Sequence, residues 1–208
     1  MLKIEKVYKY FGGVKAVDGL SFEISSEKIT GLIGPNGAGK STVFNLITGF
    51  SRVDEGSIKF ENKEISQFST EKTVKMGLIR TFQLPGELKN MSVLDNLLVS
   101  PMHHPGESLL FGWINRRKSN KFEQKNIVDA KKNLEIVGLT HLIKEKAGNL
   151  STGQKKLLEL ARILMMKPKL ILLDEPAAGI NPTLINSLSE VIIDINKKAM
   201  NLLTTFFC

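Results

Sequence analysis

The chain has 208 residues, 42% of them hydrophobic and 24% charged, a composition typical of one globular domain or of a domain with an added lobe. Its single cysteine, Cys208, excludes a disulfide framework, and neither a signal peptide nor an apolar run of about 18 residues is predicted. The net charge of +8 favours acidic partners such as nucleotides, nucleic acid or lipid headgroups without choosing among them.

Short strands with tight turns are predicted for the N-terminal part. "LKIEKVYKYF" (2–11) and "AVDGLSFEI" (16–24) alternate apolar and polar residues, and "KITGLIG" (28–34) has the pattern of a buried strand that runs into glycines. After "GAGKST" the apolar residues have helical spacing, and Gly49 is where a glycine that ends a helix is expected. "GSIKFENKEIS" (56–66) predicts a hairpin arm.

The pattern is mainly helical from about Ser69 to about Met166, including a segment with turn signals at both ends and a basic middle. "KLILLDEP" (169–176) then predicts a buried strand, and "TLINSLSEVIIDINKK" (183–198) predicts a helix. This order of strands, helical lobe and strand–helix–strand predicts an α/β core interrupted by a helical insert.

A phosphate-binding loop is predicted at "GPNGAGKST" (34–42), which fits G-x-x-x-x-G-K-[ST] between a strand and a helix. The glycines let backbone N–H groups turn towards phosphates, and the helix N-terminus adds a partial positive charge. In such loops the lysine, here Lys40, supplies a point charge and the hydroxyl, here Ser41, is a ligand of Mg²⁺.

Two carboxylates end the strand "LILLDE". Asp174 is placed to bind Mg²⁺ through water, and Glu175 to polarise a water beside the γ-phosphate. Solvated acids at a strand end are common, but the phosphate loop supplies the other half of the same reaction. The guanine-specific pattern N-K-x-D is not matched, since the nearest run, "NKEI" (62–65), lacks the aspartate.

"LSTGQKKLLELARILMMKP" (150–168) contains a capping box at Ser151 and Gln154, followed by an apolar helix face. Read alone, it predicts a well-capped amphipathic helix. With the two preceding motifs, however, the sequence resembles the nucleotide-binding subunits of ABC transporters. "LSTGQ" is similar to that family's signature LSGGQ, "GPNGAGKST" to its Walker A and "LILLDE" to its Walker B.

Further segments carry the same resemblance. "RTFQ" is similar to the run that ends in the Q-loop glutamine, "AAGINP" stands where the D-loop belongs, and "YFGGVKAV" resembles the aromatic loop beside adenine. "SVLDNLLV", "DEPAAGINP" and an insert like residues 101–126 are most similar to the branched-chain amino-acid importer ATPases. The implied fold is a P-loop NTPase (RecA-like) core with an antiparallel β subdomain (1–85 and 167–208) and a helical lobe bearing the signature (86–166).

The resemblance implies ATP and Mg²⁺ as cofactors and assigns roles to individual residues. Phe11, with Tyr10 as second choice, would stack on adenine beside Val17, although Phe11 as a plain core residue is an alternative. Ser41, Gln83 and, through water, Asp174 would surround Mg²⁺, with Glu175 as general base and Gln83 also in a catalytic role. The phosphates would be held by Gly34, Pro35, Asn36, Gly37, Ala38, Gly39, Lys40, Ser41 and Thr42. The γ-phosphate of a partner's ATP would be reached by Ser151, Gly153 and Gln154.

The implied partners are a second ATPase subunit, two integral-membrane permease subunits and, indirectly, a substrate-binding protein, on the inner face of the cell membrane. No binding of nucleic acid is expected. The 110 residues between Lys40 and Ser151 are too few for the very long coiled coils that DNA-repair relatives carry there, and translation-type relatives have two sets of these motifs where this chain has one. "LLFGWINRRK" (109–118) could touch lipid or the membrane subunits, but a helix packed on the lobe with a solvated basic face is favoured.

Two departures from the family pattern remain. Thr152 replaces the first signature glycine, and the histidines His103, His104 and His141 all precede Asn181, where family members carry a switch histidine beyond it. "NLLTTFFC" therefore resembles the start of the strand that delivers that histidine, which suggests truncation or a frameshift. The alternative to a working ATPase is thus a module that binds ATP but hydrolyses it poorly.

Overall fold

The computed structural model describes residues 1–26, 29–81, 86–101, 116–176, 182–197 and 201–207. Several residues discussed above therefore lie outside the described residues, namely Gln83, His103, His104, Asn181 and Cys208, together with residues 102–115 of the insert and 177–181 of the run "AAGINP".

An antiparallel sheet is built from the N-terminal strands. β1 (Leu2–Phe11), β2 (Val14–Ile24), β4 (Glu55–Phe60) and β5 (Lys63–Glu64) lie in the order β2-β1-β4-β5. The two predicted N-terminal strands and the predicted hairpin of β4 with β5 are confirmed. One face of this sheet is buried through residues such as Leu2, Ile4 and Ile58.

A parallel sheet contains β3 (Ile29–Gly34), β6 (Leu78–Arg80), β7 (Leu170–Leu173) and β8 (Asn201–Phe207), in the order β3-β8-β7-β6. All four residues of β7 are buried, as the sequence predicts, and "NLLTTFF" forms a strand. Because the strands run parallel, the segments that follow β3 and β7 leave the same edge of the sheet.

One sequence-based expectation about this sheet is wrong, and one of its strands was not predicted. β3 is not a buried strand, since Ile29 and Ile33 are 41% and 60% exposed; among the described residues it pairs only with β8 and so lies at the edge. β6 falls where a helical pattern is predicted. Its three residues are too few to show a period of two, and its pairing with β7 defines it instead.

Six α-helices are present among the described residues: α1 (Lys40–Ile47), α2 (Thr70–Lys75), α3 (Val93–Leu98), α4 (Arg116–Ile136), α5 (Thr152–Met165) and α6 (Pro182–Lys197). Gly49 follows α1 with φ +73°, as predicted, and an added Cβ would lie 2.4 Å from the Phe68 carbonyl oxygen. Only glycine fits that position without displacing the backbone.

The chain forms two compact units. The first takes its described residues from 1–83, 168–178 and 195–208, holds both sheets and has a core that includes Phe44, Leu172 and Leu203. The second takes its described residues from 84–167 and 179–194. In it, α3, α4 and α5 pack together through buried residues such as Leu97, Leu134 and Leu158.

Candidate nucleotide site

The loop between β3 and α1 has a backbone that requires glycine. Gly37 and Gly39 have φ values of +81° and +83°, in the left-handed region that glycine adopts without a Cβ penalty. A Cβ on Gly39 would lie 2.3 Å from the Ala16 carbonyl oxygen of β2, whereas a Cβ on Gly37 would meet nothing within 4 Å. The loop therefore packs closely on β2 at one glycine and borders open space at the other.

Lys40 is held within this loop. Its side-chain Nζ donates to the carbonyl oxygens of Gly34 at 2.6 Å and Pro35 at 2.8 Å, and the residue is only 8% exposed. These two bonds fix the ammonium group beside the turn that the glycines create. A positive charge fixed there suits a phosphate group.

The N-terminus of α1 adds to the same field. Gly39 caps the helix without a side-chain hydrogen bond, and the first turn contains no acidic residue. The first backbone N–H groups of a helix have no partner within it, so this end attracts anions. The loop, the lysine and the helix end together fit a phosphate ligand.

Asp174 directly follows β7, and protein donors hold both of its carboxylate oxygens. Arg80 Nη2 lies 2.5 Å from Oδ2, and Thr205 Oγ1 donates to Oδ1 at 3.0 Å. The side chain of Asp174 is 1% exposed, and its backbone N–H donates to Thr81 Oγ1 at 3.2 Å. An ionised carboxylate has about four acceptor sites, so these two bonds leave lone pairs that could accept from a water bound to Mg²⁺.

Glu175 occupies a strained turn after the strand. Its φ is +48°, a left-handed conformation that is uncommon for a residue with a side chain, and its N–H donates to Thr205 Oγ1 at 2.9 Å. Such strain persists where the surrounding structure enforces it, and it is frequent at functional sites. The strain thus agrees with the catalytic role predicted for Glu175, which stays a prediction.

The aromatic loop lies at the end of β1. Phe11 is 52% exposed, so its interpretation as a core residue is wrong, while Val17 is buried. Lys9 Nζ lies 5.4 Å from the Phe11 ring centroid and also donates to Asp54 Oδ1 at 2.8 Å. The bond from Lys9, followed by one from the backbone N–H of Tyr10, holds the pKa of Asp54 below its ordinary 3.8. An exposed, laterally supported ring suits the predicted stacking on adenine.

In the second unit, the predicted capping box is present at the start of α5. The Gln154 N–H donates to Ser151 Oγ at 3.3 Å, and the Ser151 N–H donates to Gln154 Oε1 at 2.9 Å. Gly153 is buried and Thr152 is exposed in the first turn. Lys155 pairs with Glu87 at 3.1 Å. Burial raises the pKa of Glu87, but its backbone hydrogen bond and the bond from Lys155 outweigh burial and hold it below the ordinary value.

Sequence reasoning missed three residues around Asp174. Arg80 and Thr205 contact its carboxylate, and Asn45 accepts a hydrogen bond from Arg80 Nη1 at 2.5 Å. A polar residue within the apolar run of β8 was the available signal for Thr205. Arg80 begins the run "RTFQ", but no local pattern predicts its bond to Asp174 or marks Asn45, because their partners are distant in sequence.

A family model and individual relatives with similar sequences all belong to ABC transporters. The family model "ABC transporter" matches residues 17–178. The probable branched-chain amino acid transport ATP-binding protein LivG of Methanocaldococcus jannaschii is 43% identical over 98% of this chain and 78% of the relative. The high-affinity branched-chain amino acid transport ATP-binding protein BraF of Pseudomonas aeruginosa is 35% identical over 95% of this chain and 78% of the relative.

Solved structures agree with these relatives. A structure of the ADP conformation of an ATP-binding cassette of an ABC transporter has a TM-score of 0.83 and 40% identity, and the match covers 99% of this chain and 80% of that one. Across the described residues, every helix is too short or too polar to traverse a lipid bilayer.

Proposed function

This chain belongs to the ABC transporter family, and we propose that it is the ATP-binding and ATP-hydrolysing subunit of an importer for branched-chain or related amino acids. One observation carries the ATPase part: the glycine-dependent loop with Lys40 and the buried carboxylate of Asp174 follow parallel strands of the same sheet. The substrate class rests on the relatives, whose names specify branched-chain amino acid transport.

The phosphate loop (34–42) would bind the phosphates through its backbone N–H groups and Lys40, and Phe11 and Val17 would contact adenine. Ser41, Asp174 and Gln83 would hold Mg²⁺, which neutralises charge that develops on the phosphates during transfer. Because Ser41 offers a hydroxyl oxygen and Asp174 a carboxylate oxygen, the donor set suits a hard cation.

Glu175 would accept a proton from the attacking water while the water oxygen forms a bond to the γ-phosphorus. The bond between the γ-phosphorus and the bridging oxygen of the β-phosphate breaks, and ADP leaves. In a dimer of two ATPase subunits, Ser151, Gly153 and Gln154 would approach the γ-phosphate bound by the partner. The amide oxygen of Gln154 is already bonded to the Ser151 N–H, so its amide NH₂ would be the donor to phosphate.

The proposed partners are a second ATPase subunit, two integral-membrane permease subunits and, through them, a substrate-binding protein. We place this assembly on the inner face of the cell membrane. We expect no role in binding nucleic acid.

The direct test is ATP binding and hydrolysis by the purified protein, with Glu175→Gln and Lys40→Met as variants. We expect Glu175→Gln to bind ATP but lose about 10²- to 10⁴-fold in turnover, the usual contribution of a general base. Lys40→Met should weaken binding itself. Turnover no higher than that of Glu175→Gln would contradict the enzymatic role.

The substrate class needs a separate test. Co-expression with the cognate permease subunits and binding protein should give ATP-dependent uptake of leucine, isoleucine or valine into vesicles, and Glu175→Gln should abolish it. Uptake of an unrelated solute in their place would contradict the proposed substrate while leaving the ATPase assignment intact.

A further inference from the structure

Asp174 is held from two sides by residues outside the recognised motif roles. Arg80 approaches Oδ2 from β6, and Thr205 approaches Oδ1 from β8. With its side chain only 1% exposed, the carboxylate has little solvent to stabilise its charge. A buried charge of this kind depends on its protein partners.

Arg80 links this carboxylate to the helix of the phosphate loop. One arm of its guanidinium donates to Asn45 Oδ1 on α1 and the other to Asp174 Oδ2, each at 2.5 Å. The group also lies 5.5 Å from the ring centroid of Phe44 on the same helix. Because a guanidinium is a rigid planar fork, these contacts set the position of Asp174 relative to the helix that begins with Lys40 and Ser41.

Thr205 connects the two acidic residues of the site. The Glu175 N–H can only donate, so Thr205 Oγ1 must accept from it, at 2.9 Å. The one hydroxyl proton is then directed at Asp174 Oδ1, at 3.0 Å. The Thr205 side chain thereby fixes both the orientation of one carboxylate and the backbone of the other residue.

We propose that Arg80 and Thr205 are positioning residues that preset the Asp174 carboxylate for Mg²⁺·ATP, an inference that rests on the proposed function. A ligand already held in its binding orientation loses less freedom when the metal arrives, which is why partners of metal ligands contribute to affinity. Neither residue needs to touch the nucleotide for this effect.

β8 supplies a matched control. Thr204 is 2% exposed and its hydroxyl has no hydrogen-bond partner among the described residues, whereas the adjacent Thr205 makes both bonds described above. Threonine and valine are nearly isosteric. Thr204→Val and Thr205→Val therefore remove the same group from neighbouring buried positions of one strand.

The test compares ATP affinity with Mg²⁺ and with EDTA for wild type, Thr205→Val, Thr205→Ser, Thr204→Val and Arg80→Lys. We expect Thr205→Val to reduce the Mg²⁺-dependent gain in affinity about tenfold, the lower end of the loss seen when a partner of a metal ligand is removed. Thr205→Ser and Thr204→Val should keep the wild-type gain. Arg80→Lys should lose it, because one ammonium cannot replace the fork between Asn45 and Asp174.

The outcomes separate this inference from the proposed function. Wild type that fails to bind ATP contradicts the function itself. If wild type binds and Thr205→Val keeps the full Mg²⁺-dependent gain, the inference is wrong; equal losses in Thr204→Val and Thr205→Val would overturn it as well. Should Thr205→Val fail to fold, the Mg²⁺-dependent gain in ATP affinity of Arg80→Lys decides. A gain equal to that of wild type, or larger, would overturn the inference, and a larger one would mean that Arg80 opposes binding of the metal.

Discussion

Replacing Gly39 by alanine tests the structure of the phosphate loop most directly. The added Cβ would lie 2.3 Å from the Ala16 carbonyl oxygen, so the loop and β2 must separate by at least 0.7 Å to reach the 3.0 Å below which real Cβ contacts essentially never fall. Such overpacking costs about 1–3 kcal/mol. The left-handed φ of +83° costs alanine about 1–2 kcal/mol more. Together these terms predict a loss of about 2–5 kcal/mol in the free energy of unfolding.

Gly37→Ala is the matched control, because Gly37 has almost the same φ, +81°, but no atom within 4 Å of the added Cβ. It should lose only the backbone cost of about 1–2 kcal/mol. Urea unfolding of the two variants and wild type measures both losses at equal slope. Equal losses would refute the close approach of the loop to β2. ATP affinity should also fall in Gly39→Ala, since the shift displaces the first turn of α1.

Four other substitutions have defined outcomes. Ser151→Ala should cost about 1 kcal/mol in urea unfolding, and Ser69→Ala, which removes an N-cap without a side-chain hydrogen bond, should cost clearly less; equal costs would refute the cap. Asp54→Asn should have a lower melting temperature than wild type at neutral pH, because the ionised carboxylate of Asp54 stabilises the fold. The two melting temperatures should converge as pH falls through the lowered pKa of Asp54, below 3.8. A difference that stays constant with pH would refute this. Thr204→Val should leave thermal stability unchanged or raise it, since its buried hydroxyl has no partner among the described residues, and a clear loss would reveal one.

The sequence predicted the parts of the site whose determinants are local. The turn of the phosphate loop, the glycine after α1 and the capping box at Ser151 each depend on a few consecutive residues, and the structure contains all three. The buried run that precedes Asp174 was equally clear, because all four of its residues are apolar and buried. Conformations fixed by neighbouring residues can be recognised from those residues alone.

The features that were missed are set by contacts between distant segments. β6 is too short to show a strand pattern, and the exposure of Ile33 depends on which strands pair with β3. Arg80 lies 94 residues from Asp174 along the chain, and Thr205 lies 31 residues from it. No periodicity in the sequence reports such pairs, so they emerge only from the order of the strands.

That order explains why β8 matters for the site. Among the described residues, β3 pairs only with β8, and β8 pairs in turn with β7, so β8 lies between the strand that enters the phosphate loop and the strand that ends at Asp174. Two strand spacings of about 4.8 Å then separate the loop-bearing strand from the acidic one. Thr205 pairs with Leu32 of β3, and its hydroxyl donates to Asp174 near the carboxyl ends of these parallel strands. The strand that sets the distance between the two halves of the site also supplies a side chain that orients one of them.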